Sequence, residues 1–439
     1  MYYAGSCSTD ITPPVGYLLQ GHDARTQPAQ MVHDPLYLKA LTISDGQERV
    51  ALITSDLVYF SKEHAAAIKA DITQRTGLTP ERVMITAAHT HTGPFTFSAR
   101  ARDERLLPDY LSLLRKKAVG AVMEAIQREA PAVLRWGTGR TNIGAINRRS
   151  KDERGRFQMA PNPDRPIDPQ VAVFAVCDPT GRPRVILCNY ACHPTVLATT
   201  IYQISADYPG VAQRVLQQMY PGAIAMFTNG CCGDVRPAII DPATGQFKGG
   251  AFADAERMGH ILAGAAIAAL EQGEDLPPGD VAGRLQSLEL PLDKDLLPVN
   301  PDRLESACET HKQSQTSHDG SGLDAWRDFW KERLAAGAPI PATVPMDIQA
   351  LHIGPARLAG IAGETMVEIG LRIKAGAAEK KHKLLLCGDA NGVVGYLPTT
   401  AALTEGGYET NSFMHKFYAA PYAPGMDDVL VKSMLALLD

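Results

Sequence analysis

Short apolar runs alternate with helix-type segments along this chain, and this alternation constrains its fold more than any other feature of the sequence. Residues 37–44 and 49–56 predict two strands joined by a turn at Asp45-Gly46, and residues 62–77 predict the helix that follows them. The pattern continues with predicted strands at 83–88, 171–177, 185–189, 223–228, 348–353, 357–362 and 383–387, and with predicted helices at 110–128, 211–219, 253–271, 365–374 and 427–438. Such interleaving is typical of the α/β class.

Residues 291–345 differ from the rest because they are polar and have the pattern of helices rather than of strands. Trp326 and Trp330 fall on one face of a predicted helix there, and we interpret both as packing residues rather than as a ligand site. No linker rich in Pro, Gly and Ser divides the sequence. We therefore expect one large domain over residues 1–439, with a helical insertion at about 291–345.

Charge and composition argue against several classes of protein. The 439 residues include 43 Lys and Arg against 48 Asp and Glu, so no basic excess supports a nucleic-acid or anionic-membrane partner. The longest apolar stretch, residues 261–270, is about half of the roughly 20 residues that a membrane span needs. The first residues lack a basic segment followed by an apolar one, and the eight cysteines form no disulfide pattern, so we expect no signal peptide and a cytoplasmic protein. A small molecule is the expected partner, and no feature indicates the oligomeric state.

Two histidine motifs follow predicted strands. The first, Ala-His-Thr-His-Thr-Gly-Pro, contains His89 and His91, which face the same way in an extended chain. The second, Asn-Tyr-Ala-Cys-His-Pro-Thr, contains His193. Neutral imidazole is the commonest protein ligand for zinc, and open α/β sheets bind ligands at the carboxyl ends of their strands. Each motif alone is either metal-binding or hydrogen-bonded structure, and their joint occurrence favours a metal site.

Three other segments place polar groups at strand ends or in loops. Residues 228–237, Thr-Asn-Gly-Cys-Cys-Gly-Asp-Val-Arg-Pro, carry Asp234, and their glycines either let backbone N–H groups approach a substrate or close a tight turn. The adjacent cysteines are poorly placed to chelate one zinc ion, so we interpret them as structural. Glu364 follows a predicted strand, either as a metal ligand or as an acid favoured by the helix dipole. Tyr396 and Tyr408 lie in predicted loops, where tyrosines usually pack.

Taken together, these motifs resemble the neutral (non-lysosomal) ceramidase family, zinc-dependent amidases that cleave N-acyl-sphingosines. The His-Thr-His-Thr-Gly-Pro segment is similar to the family's His-Thr-His-Ser-Gly-Pro. The single-histidine motif, the Gly-Asp-Val-x-Pro loop, the Gly-Glu turn and Tyr-x-x-Thr-Thr with a later Tyr-Glu follow in the family's order. The resemblance implies the family's catalytic N-terminal domain, a single large α/β domain with a mixed sheet, over essentially the whole chain, without the family's C-terminal immunoglobulin-like domain.

The resemblance also implies a set of site residues. A zinc ion would be held by His89, His193, Glu364 and Tyr396. His91 and Tyr408 would line the site without binding the metal, and Arg148 would lie beside them.

One position departs from the family's pattern. The family's loop reads Gly-Asp-Val-Ser-Pro, with the serine as proposed nucleophile, whereas this chain has Arg236 there. Because a guanidinium stays protonated and cannot attack a carbonyl, the sequence predicts direct attack by metal-activated water on an amide, lactam or ester. We expect Arg236 and Arg148 to bind a substrate carboxylate or phosphate, which favours a polar or anionic small molecule over ceramide.

The remaining roles follow from this reaction. His91 and Tyr408 are the candidate donors to the oxyanion, and Asp234 either takes a proton from the water or orients a ligating histidine. Two alternatives stay open. The first is that the chain is a catalytically silent, zinc-containing relative that binds a ligand, and the missing serine favours it. The second is that the chain is a true N-acylsphingosine amidase.

Overall fold

The computed structural model describes residues 1–22, 25–97, 107–142, 144–314 and 322–439, so residues 315–321 of the predicted insertion lie outside the described residues. The strands are β1 Tyr2–Asp10, β2 Met31–Val32, β3 Tyr37–Ser44, β4 Arg49–Ser55, β5 Val83–Ala87, β6 Ala130–Arg140, β7 Ala145–Lys151, β8 Phe157–Asn162, β9 Gln170–Cys177, β10 Pro183–Tyr190, β11 Gln203–Ile204, β12 Ile224–Asn229, β13 Val235–Pro237, β14 Glu274–Leu276, β15 Val281–Pro291, β16 Thr343–Ile353, β17 Ala356–Ile361, β18 Glu364–Thr365, β19 Lys383–Cys387 and β20 Tyr396–Leu397. The α-helices are α1 Lys62–Thr76, α2 Pro108–Gln127, α3 Asp207–Met219, α4 Phe252–Glu271, α5 Pro301–Ser314, α6 Leu323–Ala335, α7 Val367–Glu379, α8 Thr400–Glu405, α9 Tyr408–Asn411 and α10 Met426–Leu437.

The largest sheet is mixed, which confirms the α/β prediction. Its strands lie in the order β12-β10-β9-β6-β1-β3-β4-β5, with β14 paired to β6. The β4–β5 and β10–β12 pairs are parallel and the other pairs are antiparallel. The predicted turn joins β3 to β4, with Ser44 opposite Arg49 and Gly46 at φ +98°.

Both faces of this sheet are buried, which explains its almost continuous apolar strands. In β9, Val173 and Ala175 pack in the core beneath α3 and α4, whereas Phe174 and Val176 face the opposite core. Successive side chains of a strand point to opposite faces, so a strand covered on both sides has to be apolar throughout.

A second sheet, β15-β16-β17-β19, packs on the large sheet and shares one apolar core with it. Helices α1 to α4 cover the outer face of the large sheet, and α5, α6, α7 and α10 contribute to the core on the outer face of the second sheet. The described residues therefore form four layers, two sheets between two sets of helices. Smaller sheets, β13-β7-β8 and β18-β20, lie near the ends of the central strands.

Most predicted elements are present with shifted ends. Helix α3 begins at Asp207 rather than 211, because Pro209 falls in its first turn, where a missing N–H breaks no helical hydrogen bond. Strands β6 and β15 were not predicted, because each carries arginine and glycine on partly exposed stretches that interrupt the apolar pattern.

The predicted helical insertion corresponds to α5 and α6, but the ends of 291–345 belong to strands β15 and β16. Trp326 and Trp330 are both buried in the core around the second sheet, as the packing interpretation expects. The indole N–H of Trp326 donates to the carbonyl of Tyr418 at 2.6 Å.

All eight cysteines are buried and free. Among the described helices, none combines the length and apolar content that crossing a bilayer requires.

Candidate metal site

Several chain segments that leave the two central sheets meet at one place. His89 follows β5, His193 follows β10, and Glu364 begins β18 just after β17. Strand β18 runs parallel to β20, which puts Glu364 directly beside Tyr396. Residues far apart in sequence are therefore neighbours in the fold.

His89 is held in an uncommon backbone conformation. Its φ is +72°, in the left-handed region that non-glycine residues rarely adopt, and such strain is often found at functional sites. Its Nδ1 lies 3.2 Å from the carbonyl oxygen of Val58 and 3.3 Å from Oδ2 of Asp389. Its Nε2 has no hydrogen-bond partner among the described residues and lies 3.5 Å from Oε2 of Glu364.

In His193, as in His89, Nδ1 faces a backbone oxygen and Nε2 faces Glu364. Its Nδ1 lies 2.7 Å from the carbonyl oxygen of Cys232 and 3.0 Å from that of Val235, so the proton is on Nδ1 and the lone pair is on Nε2. Within the described chain this Nε2 also lacks a hydrogen-bond partner, and it lies 3.5 Å from the same Oε2 of Glu364. Cys232 contributes only its backbone oxygen here, in agreement with a structural role for the cysteine pair.

The two imidazoles and the carboxylate fit a divalent metal. A tetrahedral zinc ion with bonds of about 2.1 Å separates its ligand atoms by about 3.4 Å. The two distances of 3.5 Å from Glu364 to His89 and His193 match this separation, and both Nε2 atoms are buried, without partners in the described parts of the chain. A buried polar atom without a partner costs free energy unless a ligand satisfies it.

His91 belongs to the same group. One nitrogen atom from each of His89, His91 and His193 lies within 4.8 Å of the others, which identifies these three residues as a possible metal cluster. Both ring nitrogens of His91 are buried without a partner among described residues. Burial and the neighbouring His22 and His89 lower the pKa of His91 well below its usual value, so the ring is neutral and able to bind a metal. Whether His91 binds the metal or only lines the site, as the sequence predicted, stays a prediction.

The charges of the site stabilise an ionised Glu364. Burial alone would raise the pKa of this carboxyl, but His89, His193 and a hydrogen bond from Tyr396 lower the pKa to about 2. Burial raises the pKa of Tyr396 well above its usual value, although Arg148 opposes the shift. Tyr396 is therefore a phenol that contacts the ligand set at Glu364.

Arg148 lies over the rings of Tyr396 and Tyr408, and its expected place beside His91 stays a prediction. Its guanidinium carbon is 5.3 Å from the ring centre of Tyr396 and 5.6 Å from that of Tyr408. The two tyrosine rings lie 5.5 Å apart. Arg148 is 4% exposed, and its Nε donates to Oε1 of Glu409 at 2.8 Å. The other oxygen of Glu409 accepts from Arg149 at 2.6 Å, so one carboxylate binds two guanidinium groups.

Asp234 lies near the site, but its carboxylate is already bonded. Oδ1 accepts the backbone N–H of Val367 at the start of α7 at 2.8 Å, and Oδ2 accepts the amide of Asn147 at 2.7 Å. These bonds hold β7 and α7 against the loop before β13. The predicted roles of Asp234 in proton transfer or histidine orientation stay predictions.

Arg236 lies in β13, directly after Val235. Its Nη1 is 3.7 Å from the sulfur of Met159, and its guanidinium carbon is 4.4 Å from the ring centre of Phe247. Burial first, and then the charge of Arg148, lower the pKa of Arg236 to about 10.

Several residues that contact the site were not predicted from the sequence. Asp389 contacts His89, and a signal was present, because Gly-Asp-Ala-Asn-Gly follows a predicted strand. The ring centre of His22 lies 4.8 Å from that of His91, and nothing around His22 in the sequence indicated this. The guanidinium of Arg25 donates to the backbone oxygens of His91 and Thr199, which are remote in sequence.

This chain is similar in sequence to several known proteins. A family model described as neutral/alkaline non-lysosomal ceramidase, N-terminal, matches residues 2–255. Neutral ceramidase of Pseudomonas aeruginosa is 23% identical over 94% of this chain and 69% of that protein. Neutral ceramidase B of Dictyostelium discoideum is 25% identical over 45% of this chain and 30% of that protein.

Two solved structures share the fold. The structure of a ceramidase complexed with C2 aligns over all of this chain and over 74% of its own length, with a TM-score of 0.74 and 18% identity. The neutral ceramidase from Pseudomonas aeruginosa gives a TM-score of 0.72 at 20% identity, again over all of this chain and 74% of its own.

Proposed function

Because the chain belongs to the neutral/alkaline non-lysosomal ceramidase family, we propose that it is a zinc-dependent hydrolase that cleaves an amide bond in a polar or anionic small molecule. Ceramidases are hydrolases that act on amide bonds, and the zinc, the substrate class and the residue roles given below are our proposals. The observation that carries the proposal is the pair of 3.5 Å distances that join Glu364 to His89 and His193.

The metal ligands that we propose are His89, His193, Glu364 and Tyr396. A bound zinc ion would supply a Lewis acid and would lower the pKa of a coordinated water to about 7. The protein residues supply the rest. Nδ1 of His193 is bonded to two backbone oxygens, which leaves Nε2 directed at the site. His89 is oriented in the same way by Val58 and Asp389.

The reaction that we propose is hydrolysis by direct attack of water. The water oxygen bonds to the carbonyl carbon, the carbon–nitrogen bond breaks, and the nitrogen takes up a proton, so the products are a carboxylate and an amine. Arg236 stands where the family has its proposed serine nucleophile, and a guanidinium cannot form an acyl intermediate. His91 and Tyr408 are the proposed donors to the oxyanion, and the proposed role of Asp234 is either to take a proton from the water or to orient a ligating histidine.

The proposal covers the chain as a whole. We propose one hydrolase domain over residues 1–439, with the helices of residues 291–345 as an insertion. All eight cysteines are free and buried, which suits the reducing cytoplasm.

The test combines metal content with a substrate screen. Purified protein is dialysed against a strong chelator, reloaded with zinc, and assayed on N-acyl amines, lactams and lactones. We expect the loss of zinc to abolish turnover of N-acyl amines and its return to restore it. Zinc-loaded protein that hydrolyses none of these compounds would instead support a silent ligand-binding relative.

A further inference from the structure

The guanidinium of Arg236 has no acidic partner. Among the residues that the structure describes, no carboxylate lies within ion-pair distance of it, whereas Arg148 and Arg149 share Glu409. A positive charge that is partly removed from water is costly unless an opposite charge accompanies it. The site is therefore incomplete on the side of Arg236.

One edge of this guanidinium is unused. The Nη1 atom faces the sulfur of Met159, and the ring of Phe247 covers one face. Nε is buried and has no hydrogen-bond partner in the described chain. The free edge is thus that of Nε and Nη2, which presents two parallel N–H donors, the geometry with which arginine binds a carboxylate.

Around Arg236, the residues that the structure describes offer unpartnered nitrogen atoms rather than a carboxylate. Nη2 of Arg148 is also buried without a partner among described groups, although Arg148 itself is 4% exposed. His22 lies near enough to Arg236 for the guanidinium charge to act on it, and its Nε2 is likewise without a partner in the described residues. Two further buried nitrogen atoms without described partners, one on Arg148 and one on His22, therefore belong to residues that interact electrostatically with Arg236.

The surroundings of Arg236 adjoin the candidate metal site. Arg236 follows Val235, whose carbonyl oxygen accepts Nδ1 of His193 at 3.0 Å. Arg148 lies over the ring of Tyr396, the neighbour of Glu364. The segment that carries Arg236 therefore also holds the proposed ligand His193, and Arg148 acts on both Arg236 and Tyr396.

We propose that Arg236 forms a carboxylate subsite, and that the substrate is an amide with a carboxylate close to the scissile bond, as in an N-acyl amino acid. This inference rests on the proposed function and makes it more specific. A carboxylate suits the subsite better than a phosphate, because a single guanidinium edge satisfies two coplanar oxygens but leaves a third oxygen unpaired. A neutral N-acyl amino alcohol would leave the guanidinium without its counter-charge.

The test compares three amides with the same acyl chain on zinc-loaded protein: N-octanoylglycine, N-octanoylethanolamine and N-octanoyl-O-phosphoethanolamine. We expect kcat/KM for the glycine conjugate to exceed that of the neutral amide by at least about 10-fold. Arg236→Ala should lower kcat/KM for the glycine conjugate by about 10- to 100-fold, mainly through KM, because a hydrogen-bonded charge pair is lost. The same variant should change kcat/KM for the neutral amide by less than about threefold.

Two variants serve as controls. Arg236→Lys keeps the charge but loses the two parallel N–H donors of the guanidinium. Its kcat/KM for the glycine conjugate should therefore lie between those of the wild type and the alanine variant. Arg257→Ala removes an arginine on α4 whose side chain is 65% exposed, and it should leave kcat/KM unchanged for both amides. Equal losses for both amides in Arg236→Ala, or a preference for the phosphate compound, would overturn the carboxylate subsite.

Calorimetry separates this inference from the proposed function. If zinc-loaded protein hydrolyses no amide, the proposed function fails, but binding of N-octanoylglycine still tests the subsite. Binding that weakens at least about 10-fold in Arg236→Ala would support the subsite. Binding of equal strength in both proteins, or no binding to either, would contradict it.

Discussion

Oδ2 of Asp389 lies 3.3 Å from Nδ1 of His89, on the nitrogen that does not face Glu364. Metal-binding histidines commonly donate their second N–H to a carboxylate, which fixes the tautomer and the ring orientation. Asp389 itself has a φ of +50°, so the loop after β19 holds both this carboxylate and a rare backbone conformation. We infer that Asp389 positions His89 for the metal.

The role of Asp389 predicts weaker metal binding when its charge is removed. Asp389→Asn should lower zinc affinity by about 10- to 100-fold, the range typical of such partners. Competition with a chromophoric chelator measures this affinity without reference to turnover. Asp324→Asn, on the exposed surface of α6, is the matched control and should leave it unchanged. Equal zinc affinity in Asp389→Asn and the wild type would contradict the positioning role.

The close contact between Gly21 and His91 allows a steric test of whether activity depends on the position of His91. A Cβ atom at Gly21 would lie 2.4 Å from Cγ of His91, and the φ of +106° is unfavourable for any other residue. Gly16 has a similar φ of +97° with open space around it. Gly21→Ala and Gly16→Ala should therefore lose similar stability from backbone strain, about 1 kcal/mol each, but only Gly21→Ala should also displace His91.

The measurement is turnover together with zinc content in both variants. We expect kcat/KM to fall at least about 10-fold in Gly21→Ala and to stay near the wild-type value in Gly16→Ala. Similar activity in the two variants would show that the position of His91 matters little.

Glu409 predicts a large effect on stability. It is 3% exposed and binds both Arg148 and Arg149, so Glu409→Gln would leave two buried guanidinium groups undercompensated. Removing one partner of a buried ion pair typically costs about 3–5 kcal/mol of the free energy of unfolding. Denaturant unfolding should show this loss, and Glu405→Gln, whose carboxylate is more exposed, should cost clearly less. Equal losses in the two variants would refute the claim that Glu409 anchors this arginine pair.

Lys39 predicts a pH dependence of stability. Burial lowers the pKa of Lys39 to about 8, although the charge of Asp56 opposes the shift. The Nζ of Lys39 donates to Gln213 and to the carbonyl of Ala225. The unfolded chain, with a lysine pKa near 10.4, then binds more protons than the folded protein between about pH 8 and 10, so stability contributed by Lys39 rises with pH in this window. Relative to Lys39→Met, the wild type should gain up to about 3 kcal/mol there. A constant difference between the two proteins from pH 8 to 10 would contradict this.

The periodic parts of the fold could be predicted from the sequence, and the contacts that complete the site could not. Strand β3 and the turn at Asp45-Gly46 were predictable because local apolar pattern and turn chemistry agree. The histidines were detectable because each follows an apolar strand. Asp389 and His22 were missed because their partners, His89 and His91, are remote in sequence and only the packing of the two sheets and the early loop brings them together. The hydrogen bonds of Asp234 to Val367 and Asn147 were likewise invisible in the sequence.

The central claim is that one zinc ion is held by side chains from these separate segments, and a crystal structure of the zinc-loaded protein, with anomalous data at the zinc edge, tests it most directly. We predict one anomalous peak per chain, within about 2.0–2.2 Å of Nε2 of His89, Nε2 of His193 and Oε2 of Glu364. An absent peak, or a peak bound elsewhere while these three side chains keep their present positions, would contradict the account.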